Sequence, residues 1–400
     1  MGDVFGQGSG VRACWAGWLG VLVRVADQSV VNVLQGAVNH RWEAAVLYDG
    51  RTVIPKVPVT NVSFREDAGA GIEMSGSCEV VWSSEFGESI SPRGVGDPLS
   101  PFGSELQLFS VITVGPAQES RVAMGVFPIT SVPSAMDEDM VFRGQWITVG
   151  STVKVEFKDH MAKVDRDRFD VPTAPVNLTS VWGEVSRIAD MSIVQGVPDA
   201  AITRAVMYQE NRLDAVRDLL ELLDAVPHMT SFGALSARPN VWPAPVARLR
   251  RADSETARTG QVVSVGRSMG TSKVYNRVAF RGKADNQQKI LASAEITSGP
   301  LRTRNADGSK SPFGRVTKFL ASDLVSTPQQ AQEWVDRELL RVAQLGTVEL
   351  PVVEMFNPLR ERGDVIEIER PRGEILTGRV VEISRGSGAT QELKVEVLSG

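Results

Sequence analysis

Apolar and polar positions along this chain change period twice. Between Arg41 and Lys158 they alternate in twos, as in half-buried strands. Between Thr179 and Asn240 the spacing becomes helical. After Pro245 alternation returns, interrupted by one further helix. The middle stretch has the clearest signal. Trp182, Val185, Ile188 and Ala189 share one helical face behind Thr179 and Ser180, either of which caps the free N–H groups of a first turn. Gly183 weakens that helix by about 1 kcal/mol against alanine, so it needs tertiary support. Gly196 and Pro198 end it. Ile202 to Tyr208 reads as a short strand. Asn211 then caps a second helix with Leu213, Val216, Leu219, Leu220 and Leu223 on one face. Pro227 stops it, and Phe232 to Leu235 with Arg238-Pro239 predicts a closing hairpin. Such a module of about 65 residues is near the lower limit for folding alone, so it is expected to pack on its β neighbours.

The first alternating block predicts a hairpin of Trp42–Leu47 and Thr52–Ile54 around an Asp49-Gly50 turn. Strands over Val57–Phe64 and Ile72–Trp82 follow, then a long loop from Gly87 to Phe102. Further strands are Glu105–Val114, Arg121–Thr130, Gln145–Val149 and Ser151–Lys158, with Asp137, Glu138 and Asp139 as a solvated turn between two of them. The last block predicts strands over Gln261–Val265, Lys273–Arg281, Thr347–Val353, Val365–Glu369, Ile375–Ser384 and Glu392–Leu398. Polar residues 284–289 and 301–313 read as loops. Thr327-Pro328 starts a helix with Ala331, Trp334, Val335, Leu339 and Val342 buried, and Gly346 ends it. Many short strands with turn punctuation indicate a barrel or sandwich.

Four hundred residues exceed a single core and imply two to four domains. Apolar residues at 42% with charged residues at 23% describe an ordinary globular chain. A net charge of −5 argues against non-specific duplex binding, which needs a basic surface. Two cysteines, Cys14 and Cys78, make no disulfide framework and read as buried thiols. The one long apolar run, Ala13 to Val23, is shorter than the roughly 20 residues of a membrane span. It lacks a basic leader, and Trp15, Trp18 and Leu22 give it one apolar face, as in a docking or core helix.

Candidate chemistry is sparse. Gly6, Gly8 and Gly10 have no strand ahead of them and make no phosphate loop. Asp159-His160 with Asp165, Asp167 and Asp170 alternates with Lys158, Lys163, Arg166 and Arg168, which reads as ion pairing, not a metal site. His40 and His228 are isolated, and no Cys/His pairs have zinc spacing. Arg362-Gly363-Asp364 precedes an alternating strand and reads as a tight turn. Asn61 and Asn177 begin chance glycosylation sequons. The eight tryptophans mostly fall in core patterns. No catalytic, cofactor-binding or metal-ligating residue is assigned, and no cofactor is expected.

Several segments, taken in order, resemble the tail hub (minor tail, or baseplate hub) proteins of long-tailed phages of actinobacteria. They are His40-Arg41-Trp42 leading into the Asp49-Gly50 hairpin, Pro58 to Val62, Asp97 to Leu106, Gly125 to Ile129 and Val155 to Phe169. Asn211 to Leu220, Phe232 to Leu235, Val274 to Val278 and Gly363 to Val365 continue the series. The resemblance covers about residues 36–400. It implies a mainly β fold with an α/β insert, in which two β-barrel-like domains flank a small α/β domain. The corresponding ranges are an N-terminal extension with an apolar helix at 1–35, a first barrel at 36–172, the α/β domain at 173–245 and a second barrel at 246–400. The last would carry a helix at 327–345 and an inserted loop at 284–314.

The resemblance also implies a structural virion protein and no enzyme. Three copies would form a ring at the distal tail tip, assembled in the host cytoplasm. Its partners would be a distal tail adaptor protein, the tape-measure protein and tail fibre or receptor-binding proteins. DNA would pass through the lumen without specific binding, and no membrane span is expected. Two rival readings are a cell-wall-degrading tail enzyme and a carbohydrate-binding adhesin at the tail tip.

Overall fold

The computed structural model describes residues 24, 26–83, 87–202, 207–253, 259–267, 274–283, 289–321, 327–343, 347–370 and 373–398. The apolar run Ala13–Val23, with Cys14, Trp15 and Trp18, lies outside them, as do Gly6, Gly8, Gly10 and the helix stop Gly346.

A short helix α1 (Gln28–Val33) precedes six strands: β1 (His40–Tyr48), β2 (Arg51–Asp67), β3 (Met74–Ser83), β4 (Ser104–Gly115), β5 (Gln118–Phe142) and β6 (Gln145–Lys158). Their pairing runs β1–β4–β5–β6–β3–β2 and returns to β1, closing a ring of antiparallel strands. Phe64, Phe127 and Phe157 fill its inside, with ring centroids 5.0–6.3 Å apart. Burying each such side chain is worth about 2 kcal/mol. The backbone at Gly76 passes so close to Phe157 that an added Cβ would sit 2.8 Å from its Cζ, so only glycine fits there.

A mixed segment comes next: α2 (Met161–Arg166), α3 (Val181–Ala189), α4 (Arg212–Glu221) and the hairpin of β7 (Ala225–Met229) and β8 (Leu235–Pro239). Ser180 caps α3 by accepting from the Gly183 N–H at 2.8 Å. Asn211 caps α4, accepting from Leu213 and Asp214. Trp182, Val185, Leu213, Val216 and Leu219 are buried in the same core as the first ring, as the small size of the module requires. Three expectations fail here. α3 ends at Ala189 with Asp190 in the left-handed conformation, ahead of the expected stop at Gly196 and Pro198. Pro227 lies inside β7, because α4 already ends at Glu221. The strand expected over Ile202–Tyr208 is not formed at its described ends. Ile202 belongs to no strand and Tyr208 makes only an isolated bridge to Thr173, while residues 203–206 lie outside the description.

The last third contains β9 (Ala247–Leu249), β10 (Val262–Val265), β11 (Arg277–Lys283), β12 (Lys289–Glu295), β13 (Thr317–Leu320), α5 (Pro328–Ala343), β14 (Thr347–Met355), β15 (Val365–Glu369), β16 (Ile375–Arg385) and β17 (Thr390–Leu398). Pairing runs β10–β14–β17–β16–β15–β9. A bridge between Arg251 and Val262, with the Gln261 N–H donating to the Arg250 carbonyl at 2.9 Å, brings the end of β9 back to β10. Val352, Ile366, Ile383 and Val395 pack inside this second set. The two sets form one continuous sheet, because β16 pairs with β2 from Glu382↔Asp67 to Arg385↔Phe64.

Strands β11, β12 and β13 form a separate sheet with α5 packed on one face. Val278, Phe280, Ile290, Ala331 and Val335 give it its own small core. Residues 284–314 were expected to be an inserted loop, and part of them is strand β12. The three central residues Ile290-Leu291-Ala292 are too short an apolar run to announce it. Thr327 caps α5 by accepting from the Gln330 N–H at 3.2 Å.

The longest strands make an arm. β5 and β6 continue past the first ring as a two-stranded ribbon turning at Arg143-Gly144, both with positive φ, as a tight hairpin turn demands. Asp137, Glu138 and Asp139 lie within β5, not in a turn. Asp137 accepts from the hydroxyls of Ser89, Ser91 and Ser151, and Asp139 from Thr148, so cross-strand donors hold this polar run in the strand. The arm exposes Met136, Met140, Val141, Phe142 and Trp146.

Candidate functional site

Three inward strand positions carry charge where the alternation calls for an apolar side chain. On β2 the buried series Val62, Phe64 is continued by Glu66. On β14 Leu350, Val352 is continued by Glu354. On β16 Ile383 is followed two residues on by Arg385. The pleat points all three toward the seam between the two strand sets. The turn Pro358 to Asp364 adds Arg360, Glu361, Arg362 and Asp364, all buried. It is pinned to β16: the Gly363 N–H donates to the Val380 carbonyl at 2.6 Å, and the Val380 N–H to that of Asp364 at 2.8 Å. Gly363 has φ of 87° and faces Arg238, whose Nη1 would lie 2.6 Å from an added Cβ. Glycine is therefore required there twice over.

These groups form one connected cluster. Arg362 reaches Glu66 at 3.4 Å and is paired with Glu73. Arg24 reaches Glu66 at 3.1 Å and Glu361 at 3.5 Å. Arg385 also pairs with Glu66, donates to the Arg360 carbonyl, and meets Gln391 at 3.0 Å. Gln391 in turn donates to Glu354 at 2.7 Å, and Arg360 holds the same carboxylate at 3.1 Å. From the hairpin, Arg238 meets Glu361 at 3.2 Å. His228 lies between the guanidinium groups of Arg362 and Arg238, at 3.1 and 3.2 Å. Asp159, after β6, accepts from the backbone N–H groups of Met74 and Met161. The cluster thus holds five guanidinium groups (Arg24, Arg238, Arg360, Arg362, Arg385). Against them stand six carboxyl groups (Glu66, Glu73, Asp159, Glu354, Glu361, Asp364). It ties together both strand sets, the hairpin and the start of the described chain.

Electrostatics within the cluster are uneven. Burial alone would raise Glu66, but Arg24, Arg385 and Arg362 outweigh it and hold this carboxyl down at about 2. Glu73 is pushed up to about 7 by burial, with Arg362 only partly opposing. Burial likewise raises Asp364 to about 6 and Asp159 above its ordinary value. His228 is pushed well down, first by burial and then by Arg238 and Arg362. A cleft of about 380 Å³ opens beside the cluster, lined by Glu73, His228, Arg238, Arg362, Arg379 and Asn240 among others.

The charges of the Asp159-His160 stretch pair mostly with other segments; among the described residues the pair inside it is Arg168 with Asp165 at 3.9 Å. His160 contacts Glu105 at 3.1 Å and the Gly233 carbonyl at 3.0 Å, and Lys163 pairs with the same glutamate. Asp167 pairs with Arg212 at 3.1 Å. Among the described residues no group of His, Cys, Asp and Glu is arranged to hold a metal ion, and no helix is long and apolar enough to cross a membrane. Arg362-Gly363-Asp364 is a turn as expected, with both charges buried. Cys78 is buried and free, its thiol pushed up to about 12 by burial. Trp42 and Trp182 are core; among the described tryptophans Trp146 is the exposed one, at 76%.

No family model matches the chain, and no curated protein matches it in sequence. Its fold does match solved structures. The tail protein from Neisseria meningitidis MC58 superposes with a TM-score of 0.55 at 12% identity, over 89% of this chain and 96% of that one. The 43 kDa tail protein of prophage MuSo2 from Shewanella oneidensis gives 0.52 at 12% identity, over 89% and 98%. The chain has the fold of these tail proteins. In both comparisons the shared fold covers most of each chain.

Proposed function

We propose that this chain is a structural protein of a phage tail, forming a trimeric hub at the distal tip. The observation that carries the reading is the near-complete overlap of its fold with two tail proteins. The two strand sets are the two barrel-like domains of such a hub, the first closed by the β1–β2 pairing and the second by the bridge at Arg251. Two like lobes per subunit, taken three times, offer six similar positions around a lumen, which suits a three-fold object docking on a six-fold tube.

The arm supplies the contact. A two-stranded ribbon exposed on both faces is marginal in water, and this one carries Phe142 and Trp146 at its end. Packing against a neighbouring copy covers both faces. The domain ranges 36–172, 173–245 and 246–400, the long-tailed actinobacterial phage source, and the adaptor, tape-measure and fibre partners belong to the same proposal. DNA passes the lumen unbound, in keeping with the net charge of −5. The chain acts by assembly, with no catalytic step.

The test is the solution mass of the full chain across concentration, measured by light scattering. A species of three protomers, reduced to one by Trp146→Glu with Phe142→Glu, supports the reading. A trimer indifferent to both substitutions removes the arm from the interface, and lysis of cell wall by the purified protein refutes the structural role.

A further inference from the structure

The buried junction has one more carboxyl group than guanidinium groups, and a buried cluster of unbalanced charge is costly. The imbalance is removed by one proton. Glu66 does not hold it, because three arginines surround it. Glu354 is fixed by Arg360 and Gln391, and Glu361 by Arg24 and Arg238. Glu73 is different. Among the described residues its one ion-pair partner is Arg362, which it shares with Glu66. Asp159 raises it further, Arg238 opposes this less than Arg362 does, and His228 meets the same Arg362 Nη2 that pairs with Glu73.

We propose that the junction between the two strand sets binds an exchangeable proton held chiefly on Glu73, with Asp364 as a lesser site, and that its release loosens the seam. The seam is short. The backbone ladder of β2 with β16 spans only Phe64 to Asp67 against Glu382 to Arg385, and the charged cluster lies directly under it. When the seam opens, Glu73 reaches water and ionises like any exposed glutamate. The closed arrangement holds Glu73 up at about 7 against an ordinary value of 4.5. The sign follows: the contribution to closure is complete below 4.5 and is lost as pH rises through 7. The seam is therefore tighter in mildly acidic than in mildly alkaline solution. This inference concerns the chain itself and does not depend on the hub reading.

The experiment is amide hydrogen exchange on the full chain at about pH 6 and pH 8, corrected for intrinsic rates and read at residues 64–67 and 382–385. Linkage from 4.5 to 7 at Glu73 makes opening about tenfold more frequent at the higher pH, and the rise of Asp364 to about 6 doubles this to about twentyfold. Glu73→Gln, which keeps the shape of the protonated side chain, is expected to reduce that ratio to about twofold, the share left to Asp364. A ratio as large in the variant as in the parent, or no ratio in the parent, overturns the proposal. Infrared spectroscopy of the unmodified protein gives a second reading that needs no variant. A buried protonated carboxyl band at pH 6 that disappears by pH 8 supports the proton, and its absence at pH 6 refutes it.

Discussion

His40 lies flat on Phe356, with ring centroids 3.6 Å apart and planes 2° apart. Trp42 meets the same phenylalanine edge-on at 5.7 Å and donates its indole N–H to the Gly386 carbonyl at 3.0 Å. Strand β1 is thereby joined to two segments of the second set, at Phe356 and at Gly386. Phe356 is 1% exposed. Phe356→Ala is expected to cost about 3–5 kcal/mol, the usual loss for a buried aromatic truncated to alanine. Denaturant unfolding with unchanged slope measures it, and a loss below about 1 kcal/mol would show that the seam does not depend on this contact.

The ion cluster predicts an asymmetry between removing one charge and balancing two. Arg362→Met removes the one ion-pair partner that Glu73 has among the described residues, while Arg24 and Arg385 still hold Glu66. A loss of about 3–5 kcal/mol is expected from such an uncompensated charge. Adding Glu73→Gln to that variant should recover part of the loss. Melting curves of the two variants side by side check this, and a double variant no better than the single one would contradict it.

Gly183 offers a case where helix propensity gives the wrong answer. Alanine is the better helix former by about 1 kcal/mol. Here an added Cβ would lie 2.5 Å from Asn177 Nδ2 and 3.1 Å from the capping Ser180 Oγ. Gly183→Ala is therefore expected to destabilise by about 1–3 kcal/mol through overpacking. A stabilised variant in thermal unfolding would mean that the 177–180 loop yields freely.

Acid sensitivity should appear at Glu105. Burial raises this carboxyl, yet the bonds from His160 and Lys163 prevail and bring it down to about 2. A lowered carboxyl contributes stability above its unfolded value of 4.5 and loses it as pH falls toward 2. Glu105→Gln is expected to flatten this acidic limb while leaving stability above neutrality lower by a pH-independent amount. Melting temperature against pH in both proteins decides the point, and parallel curves would assign the acid limb to other groups.

These contrasts show what the chain makes legible. Ser180, Asn211 and Thr327 were readable as caps because a cap needs only its own helix start. The packing of Trp182 and Val216 on the first ring followed from the module's size. The extent of β5 was not readable, because Asp137 is held in the strand by the Ser89 and Ser91 hydroxyls, 48 and 46 positions away, and Asp139 by Thr148 across the ribbon. The buried junction left one local trace, charged residues keeping phase with apolar neighbours at Glu66, Glu354 and Arg385. Their partners are up to 319 positions apart, a pairing that periodicity does not contain. The inserted sheet was hidden for a related reason: β12 is recognisable only beside β11.

Electron microscopy of the purified full chain at high concentration tests the central claim most directly. Averaged particles should show a three-fold ring, two strand-built lobes per subunit, around an open centre. Particles without three-fold symmetry, or with a filled centre and a single lobe per copy, would contradict it.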